Sequence, residues 1–481
     1  MIERIADILT VSASPAIFDS EAFWLMLLLF YPVYGILYRR RVAMMVFVTV
    51  FSLLFCYKIG GWSVLFLLLH AVAGYGLSVA ITRSTSQRWR RALLVVGVVL
   101  SVGVLAWFKF SVFAVDAFSR VVGSNFSLKE MIVPVGISFY TFRTVSYLVD
   151  VYRGMVTAPR RMLDYVFYLT YFPVLVAGPI VRTSEFFQQV EGNRQITAVT
   201  LYSGLFTVMK GLLKKAVFAD YLAQFNNLVF DNPQGYNGTE TILALLGFSA
   251  QIYLDFSGYS DIAIGLSRTL GIELPANFRQ PYKSLNLTDF WRRWHISLSS
   301  WLRDYVYIPL GGNRCGEWRM RANAVLTMTI GGIWHGAGAT FLLWGLLHGM
   351  ALTVQKAVGR LIPQFRFDKA VYWLLTFAFV TLMWLPFRCT SSANCLSMFA
   401  AVGNGFSITY LLAFAHERGL WLLVLVAAYV LIMLPQRFAS WTESHFVGAR
   451  WIVKLIIFCV LVQMILEFSA AYVAPFIYAG F

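Results

Sequence analysis

The chain has 481 residues, of which 59% are hydrophobic and only 13% are charged. Because a soluble domain carries about a quarter charged residues, this composition excludes an ordinary soluble protein and predicts an all-α polytopic membrane protein. The net charge of +16 comes from short basic runs at the ends of apolar segments, so it is not evidence for a nucleic-acid site.

Apolar segments of roughly 20 residues predict about ten to twelve membrane crossings. They lie near 22–38, 42–57, 62–81, 92–110, 131–150, 162–181, 200–219, 241–267, 324–356 (in two pieces), 370–387, 409–435 and 451–475. We expect one integral-membrane domain over residues 1–481. Its parts would be peripheral spans at 1–110, a catalytic core at 131–356 and C-terminal packing spans at 370–481.

The basic runs indicate how the chain is oriented in the membrane. Arginines cluster at 39–41, 83–91 and 160–161, and loops rich in Lys and Arg face the cytoplasm. Acidic residues prevail before the first apolar segment, so the N-terminus is predicted to lie outside. Residues 1–20 are mildly amphipathic and could lie in the membrane interface or be disordered. Five cysteines without a CxxC motif argue against a disulfide framework or a zinc site.

Segment 133–154 is unusually polar for a membrane span and contains Tyr140 and Arg143. Polar side chains at membrane depth tend to face a protein interior or a wet cavity, although interhelical hydrogen bonds are the alternative. A buried arginine needs a partner or an anionic ligand, so a cavity wall is favoured. Asp255, in a later apolar run, could line the same cavity or pair with a basic residue such as Arg143.

Lys210 and Lys214 are four residues apart in a predicted helix and therefore share one face. They could extend to the membrane surface or contact a phosphate-bearing donor, and the sequence leaves both alternatives open.

Segment 287–305 predicts one amphipathic helix that is interfacial or re-entrant rather than spanning. Thr288 or Asp289 is the expected N-cap. Trp291, Trp294, Leu298, Trp301, Leu302 and Tyr305 form its apolar stripe. The opposite face is polar and includes Ser299 and Asp304, and His295 lies at the edge of the stripe.

Residues 324–349 return to the membrane with a high density of glycine, which permits close approach of backbones or of a thin ligand. Trp334 and His335 lie in the densest part of this run. A histidine in such a place has no evident structural role, so we predict a functional one.

The run Phe-Trp-Arg-Arg-Trp-His at 290–295 is followed forty residues later by Trp334-His335-Gly336. This pair of motifs resembles the membrane-bound O-acyltransferase family. The similarity is to its bacterial branch, which includes the membrane subunit of alginate O-acetyltransferase and, more distantly, the D-alanyl transfer protein of teichoic acids. Further segments carry the resemblance at 133–154, 254–265, 290–313 and 331–349.

The resemblance implies a bundle of about 10–12 transmembrane helices with re-entrant or interfacial helices around a central tunnel. It implies that His335 is the active-site histidine and His295 the second essential one. It also implies an inner-membrane enzyme that takes acetyl-CoA or an acyl-carrier thioester as cytoplasmic donor. The acyl group would pass to an extracytoplasmic polysaccharide such as alginate, through an SGNH-type acetyltransferase or another polysaccharide-modification partner. The chain departs from this branch at Arg143, where glutamine is expected, and at the C-terminal residues 479–481.

Acyl transfer to a hydroxyl needs a base, and a histidine suits that role. We assign it to His335. His295 would orient His335, bind the acyl carbonyl or act as a second proton carrier. The sequence contains no GxSxG or HExxH motif, so no metal and no bound cofactor are expected. Tunnel-lining candidates are Trp334, Asp304, Ser299, Arg143, Asp255 and Tyr140.

The expected function is O-acetylation of an extracytoplasmic polysaccharide. One alternative is D-alanyl or peptidoglycan acyl transfer by the same fold. The other is a transporter or channel without acyl chemistry, since polar spans and broken helices also occur in transporters.

Overall fold

The computed structural model describes residues 18, 21–123, 133–158, 161–192, 195–361 and 368–468. Within these ranges every element of regular structure is a helix, which confirms the predicted all-α class. Apart from Phe18, the expected interfacial segment 1–20 lies outside the described residues, as do the C-terminal residues 479–481.

Seven helical segments in the described part of the chain are long and apolar enough to cross a membrane, so the chain is a multi-pass membrane protein. They are Arg41–Arg83, Gln87–Asp116, Gly238–Thr269, Ala339–Gly359, Lys369–Arg388, Ile408–Met433 and Trp451–Phe468. The first contains two helices joined at Gly61–Ser63. The number is lower than the ten to twelve expected because several apolar segments fold into shorter helices.

The described residues up to Ile196, together with Leu266–Pro275, form one compact unit. Its helices are α1 Glu21–Leu37, α2 Arg41–Gly60, α3 Val64–Arg83, α4 Gln87–Val122, α5 Ile137–Tyr152, α6 Met162–Thr170 and α7 Thr183–Glu191. Helices α5 and α6 are short for identifiable reasons. Gly136 precedes α5 with a positive φ of 72°, and a Cβ there would collide with the carbonyl oxygen of Leu175. Pro173 follows α6 closely and cannot continue a helix.

A second compact unit holds Thr197–Gly265 and the residues from Ala276 onward. Its helices are α8 Ala198–Leu212, α9 Asp220–Asp231, α10 Gly238–Thr269, α11 Leu287–Arg293, α12 Ile296–Leu302, α13 Glu317–His335, α14 Ala339–Leu361, α15 Lys369–Arg388, α16 Ser392–Gly403, α17 Ile408–Met433, α18 Gln436–Gly448 and α19 Trp451–Phe468. Two π-helical segments interrupt the series, Leu213–Ala219 after α8 and Arg303–Tyr307 after α12. Such segments are rare and are frequent at functional sites.

Glycines bring α13 and α14 together over several turns. A Cβ on Gly332 would meet the carbonyl oxygen of Phe341, and one on Gly345 would lie 2.5 Å from the carbonyl oxygen of Met328. On Gly349 it would lie 2.7 Å from the Cα of Val325. This close packing fixes the C-terminal end of α13, where His335 lies.

Candidate active site

His335 is the last residue of α13 and is only 3% exposed. Aromatic rings surround it, with centroid distances of 4.8 Å to Trp334, 5.1 Å to Phe387 and 5.4 Å to Trp344. The C-terminal end of a helix carries a partial negative charge, which favours a positive charge on the imidazole. His335 therefore lies at a helix C-terminus in a mostly buried, aromatic setting.

A cavity of about 170 Å³ opens beside His335. Its wall comes from α11, α12, α13, α14 and the π-helical segment Arg303–Tyr307, and it is mostly apolar. The polar side chains among the described lining residues are those of Ser299, Arg303, Tyr307, Thr327 and His335. A mostly apolar cavity with a few convergent polar groups is typical of a small-molecule site. Ser299, a tunnel-lining candidate from the sequence, is among the residues that line this cavity.

The single helix expected over 287–305 is wrong in its continuity. The helix is interrupted between α11 and α12, where Trp294 is extended and His295 adopts a left-handed conformation with φ 42° and ψ 54°. The expected N-cap is also two or three residues too late, because the side chain of Asn286 caps α11 by accepting from the amide of Asp289 at 2.8 Å.

His295 is fully buried, and its ring lies edge-on to Phe256 at 4.6 Å. It contacts Trp334 at 6.2 Å, so Trp334 touches the rings of both predicted catalytic histidines. The described residues that line the cavity do not include His295. His295 lies outside the candidate spans, and burial lowers its pKa to about 3, so the imidazole is neutral at pH 7.

Asp304 lies next to the cavity rather than among its described lining residues. Its carboxylate accepts from Nε of Arg303 at 2.7 Å. Arg303 does line the cavity, so Asp304 bears on the site through Arg303.

Tyr140 and Arg143 belong to the first unit, and their predicted relation to the catalytic histidines stays a prediction. The Arg143 side chain is 1% exposed and donates through Nη1 to the carbonyl oxygen of Tyr168 at 3.1 Å. Its guanidinium also lies 5.9 Å from the centre of the Tyr168 ring. Tyr140 packs against His70 at 5.0 Å.

Asp255 pairs with a lysine of its own unit. Lys215, in the first π-helical segment, lies 3.0 Å from Asp255 and 2.6 Å from Asp220. The lysines weighed as phosphate contacts are paired as well, since Lys214 lies 2.6 Å from Asp261 and Lys210 lies 3.3 Å from it. Surface extension and contact with a phosphate-bearing donor both stay predictions for Lys210 and Lys214.

The sequence analysis did not identify Trp344 and His348, two of the ring-bearing residues packed around the site. Trp344 stands between two histidines, 5.4 Å from His335 and 4.8 Å from His348. His348 is completely buried and also contacts Trp291 at 5.2 Å. The spacing of His348 four residues after Trp344 was the available signal, since both must lie on one face of α14.

Comparison with known proteins identifies the family of the chain. Residues 105–399 match the profile described as MBOAT, membrane-bound O-acyltransferase family. The chain is 38% identical over 376 residues to a peptidoglycan O-acetyltransferase of Helicobacter pylori, covering 72% of this chain and 71% of that protein. It is 37% identical over 419 residues to a probable alginate O-acetylase of Pseudomonas putida, covering 82% and 85%.

A more distant similarity is to a teichoic acid D-alanyltransferase of Bacillus subtilis, 28% identical over 228 residues, covering 46% of this chain and 58% of that protein. The resemblance inferred from the two histidine motifs is thus confirmed. The chain belongs to the membrane-bound O-acyltransferase family, the enzymes that transfer acyl groups to hydroxyl oxygens.

Proposed function

We propose that this enzyme transfers an acetyl group from a cytoplasmic thioester to a hydroxyl of an extracytoplasmic polysaccharide, with His335 as the general base. The observation that carries the proposal is the position of His335 in the wall of the mostly apolar cavity, beside Ser299 and Trp344. A small acetyl group and the end of a thioester chain suit an enclosed space of about 170 Å³.

In this reaction the imidazole of His335 takes the proton of the acceptor hydroxyl as its oxygen attacks the thioester carbonyl carbon. The new C–O bond gives a tetrahedral oxyanion. Collapse of the oxyanion breaks the C–S bond, and the leaving thiolate takes the proton back from His335. The products are the acetyl ester and the free thiol, so atoms and protons balance without a metal or a redox step.

His295 is assigned an orienting role in this proposal. Its burial opposes a charged imidazole, which argues against service as a second proton carrier. The shared contact with Trp334 supports a role in holding the ring of Trp334 against His335.

The membrane orientation supports the direction of transfer. We place the N-terminus outside and the basic loops, including Arg319 and Arg321 near the start of α13, at the cytoplasmic face. Helix α13 has 19 residues and rises about 28 Å, so His335 would lie well away from that face. The donor would then enter from the cytoplasm, and the acceptor, or an SGNH-type partner that passes the group on, would approach from the other side. The inner membrane is the proposed location.

Two acceptor polymers are supported by relatives of similar identity. The probable alginate O-acetylases favour an exopolysaccharide of the alginate kind, and the peptidoglycan O-acetyltransferase favours the glycan of peptidoglycan. Both present sugar hydroxyls to the same chemistry, so one assay with two acceptors separates them.

The test uses purified protein and acetyl-CoA labelled in the acetyl group, with alginate or peptidoglycan fragments as acceptor and with or without an extracytoplasmic partner. We expect His335→Ala to lower transfer by about 100- to 10,000-fold, the range for loss of a general base. His445→Ala is the matched control, because His445 is exposed and its ring bonds only a local carbonyl. Turnover in His335→Ala equal to that of the control would contradict the assignment.

A further inference from the structure

We propose that Asn277 is a positioning residue for acyl transfer, which holds the break between α11 and α12 and thereby fixes the imidazole of His295. The inference rests on the role proposed for His295 above.

The backbone at His295 needs an external restraint. Only two described residues other than glycine have positive φ, and His295 is one of them, with φ 42°. A side chain with a Cβ is strained in this conformation, which persists only where the surroundings hold it, and such residues cluster at active sites. Relaxation of both the extended Trp294 and His295 to the right-handed helical region would join α11 and α12 into one helix and turn the His295 ring away from Phe256.

Asn277 supplies that restraint through both its main chain and its side chain. Its carbonyl oxygen accepts from the amide of Ile296 at 2.9 Å. Its Oδ1 accepts from the hydroxyl of Ser297 at 2.6 Å and from the amide of Ser297 at 3.3 Å. The two residues after His295 are therefore held by one asparagine.

The asparagine is itself anchored. Nδ2 of Asn277 donates to the hydroxyl of Ser260 on α10 at 3.3 Å, and Asn277 is 1% exposed. On the other side of the break, the amide of Arg279 donates to the carbonyl oxygen of Arg293 at 3.0 Å. The segment from Asn277 to Arg279 is thus hydrogen-bonded to the backbone on both sides of His295, at Arg293 and at Ile296 and Ser297.

The contacts of His295 depend on this arrangement. Its ring meets Phe256, which is on α10 like Ser260, and Trp334, which in turn contacts His335. Buried hydrogen bonds of this kind fix geometry more than they add stability, because each replaces a bond to water. A displacement of about 1 Å at a catalytic group can lower a rate about 100-fold.

The experiment measures kcat and donor KM for Asn277→Leu, Asn277→Asp and Ser297→Ala, alone and combined with His295→Ala. We expect Asn277→Leu to lower kcat by about 10- to 100-fold with donor KM changed less than about twofold. Asn277→Asp keeps the Oδ1 acceptor and should recover most of the loss. In the His295→Ala background, Asn277→Leu should cause no further loss, because the two changes remove the same function.

Melting temperatures in detergent separate positioning from folding. If Asn277→Leu lowers kcat by the same factor in the His295→Ala background, Asn277 only supports packing. A wild-type kcat in Asn277→Leu would also overturn the proposal. If Asn277→Leu does not fold, Ser297→Ala makes the same comparison by removing the 2.6 Å bond. Wild-type turnover in His295→Ala would instead refute the proposed role of His295. The single variants distinguish this outcome from one in which His295→Ala is impaired and only the role of Asn277 is refuted.

Discussion

Lys215 is a buried lysine that forms ion pairs with two buried aspartates. Its side chain is 3% exposed and lies between Asp220 and Asp255, whose side chains are 9% and 2% exposed. Taking such charges out of water is costly, and only their mutual attraction compensates. The Lys215 ammonium therefore stabilises two buried carboxylates at once.

We expect Lys215→Met to destabilise the protein by about 3–5 kcal/mol, the usual effect of removing one partner from a buried ion pair. Lys210→Met is the matched control. The side chain of Lys210 is 34% exposed, and in this variant its partner Asp261 would still be paired with Lys214, which lies 2.6 Å away. Melting temperatures in detergent should fall clearly for Lys215→Met and little for Lys210→Met. Equal melting temperatures for the two variants would contradict this account.

Sequence reasoning at this scale selected residues whose local context was unusual. His335 was identified because a histidine within dense glycine needs an explanation, and the structure places it in a cavity wall. The partner of Asp255 could not be predicted, since Arg143 and Lys215 were equally available bases in the sequence. Pairing of this kind is decided by the packing of helices distant in the chain.

At the scale of elements, the site depends on the glycine contacts between α13 and α14. Gly332 and Gly345 face each other across the two helices, and each would place a Cβ against backbone of the other. Backbone cannot move aside as a flexible side chain can, so any larger residue must push the helices apart. Because His335 ends α13 and Trp344 lies on α14, such a movement would open the aromatic wall between them.

Gly345→Ala is therefore expected to lower both melting temperature and transferase activity, the latter by about tenfold or more. Gly359→Ala tests the same substitution on the same helix in open space, where nothing lies within 4 Å of the new Cβ. There alanine should be neutral or stabilising by up to about 1 kcal/mol, because it favours the helix over glycine. Retention of wild-type activity in Gly345→Ala would show that the helices can separate without harm to the site.

Hydrophobic patterning located these elements but not the break within 287–305. The stripe from Trp291 to Tyr305 fits one amphipathic helix, and the residues of α11 and α12 are helical as expected. The residues that follow the interruption at His295 are hydrogen-bonded to Asn277, which lies outside this segment. A helical wheel contains no information about such a tertiary contact.

At the scale of the whole molecule, the proposed orientation rests on where the basic runs stand in the order of the helices. The arginines at 39–41 precede α2, those at 83–91 lie at the end of α3 and just beyond it, and Gly61–Ser63 joins the two helices. If α2 and α3 cross the membrane in opposite directions, both runs face the cytoplasm, as the positive-inside rule requires. Hydropathy predicted the class of the protein, but it does not show where proline and glycine end helices such as α5 and α6.

This orientation predicts opposite labelling of two cysteines introduced into a variant that lacks the five native ones. Thr85→Cys, between α3 and α4, should react with a membrane-impermeant maleimide only after the cytoplasmic face is exposed. Trp62→Cys, at a position that is 73% exposed, should react in intact spheroplasts. The reverse pattern would invert the proposed topology and place the donor on the other side.

The lysine–aspartate pairs also constrain how the chain enters the membrane during synthesis. Lys210, Lys214 and Lys215 are made before Asp255 and Asp261, which lie in α10. Leaving a buried charge without its partner is costly, so we expect the lysine segment to be buried stably only once α10, which carries Asp255 and Asp261, has been made.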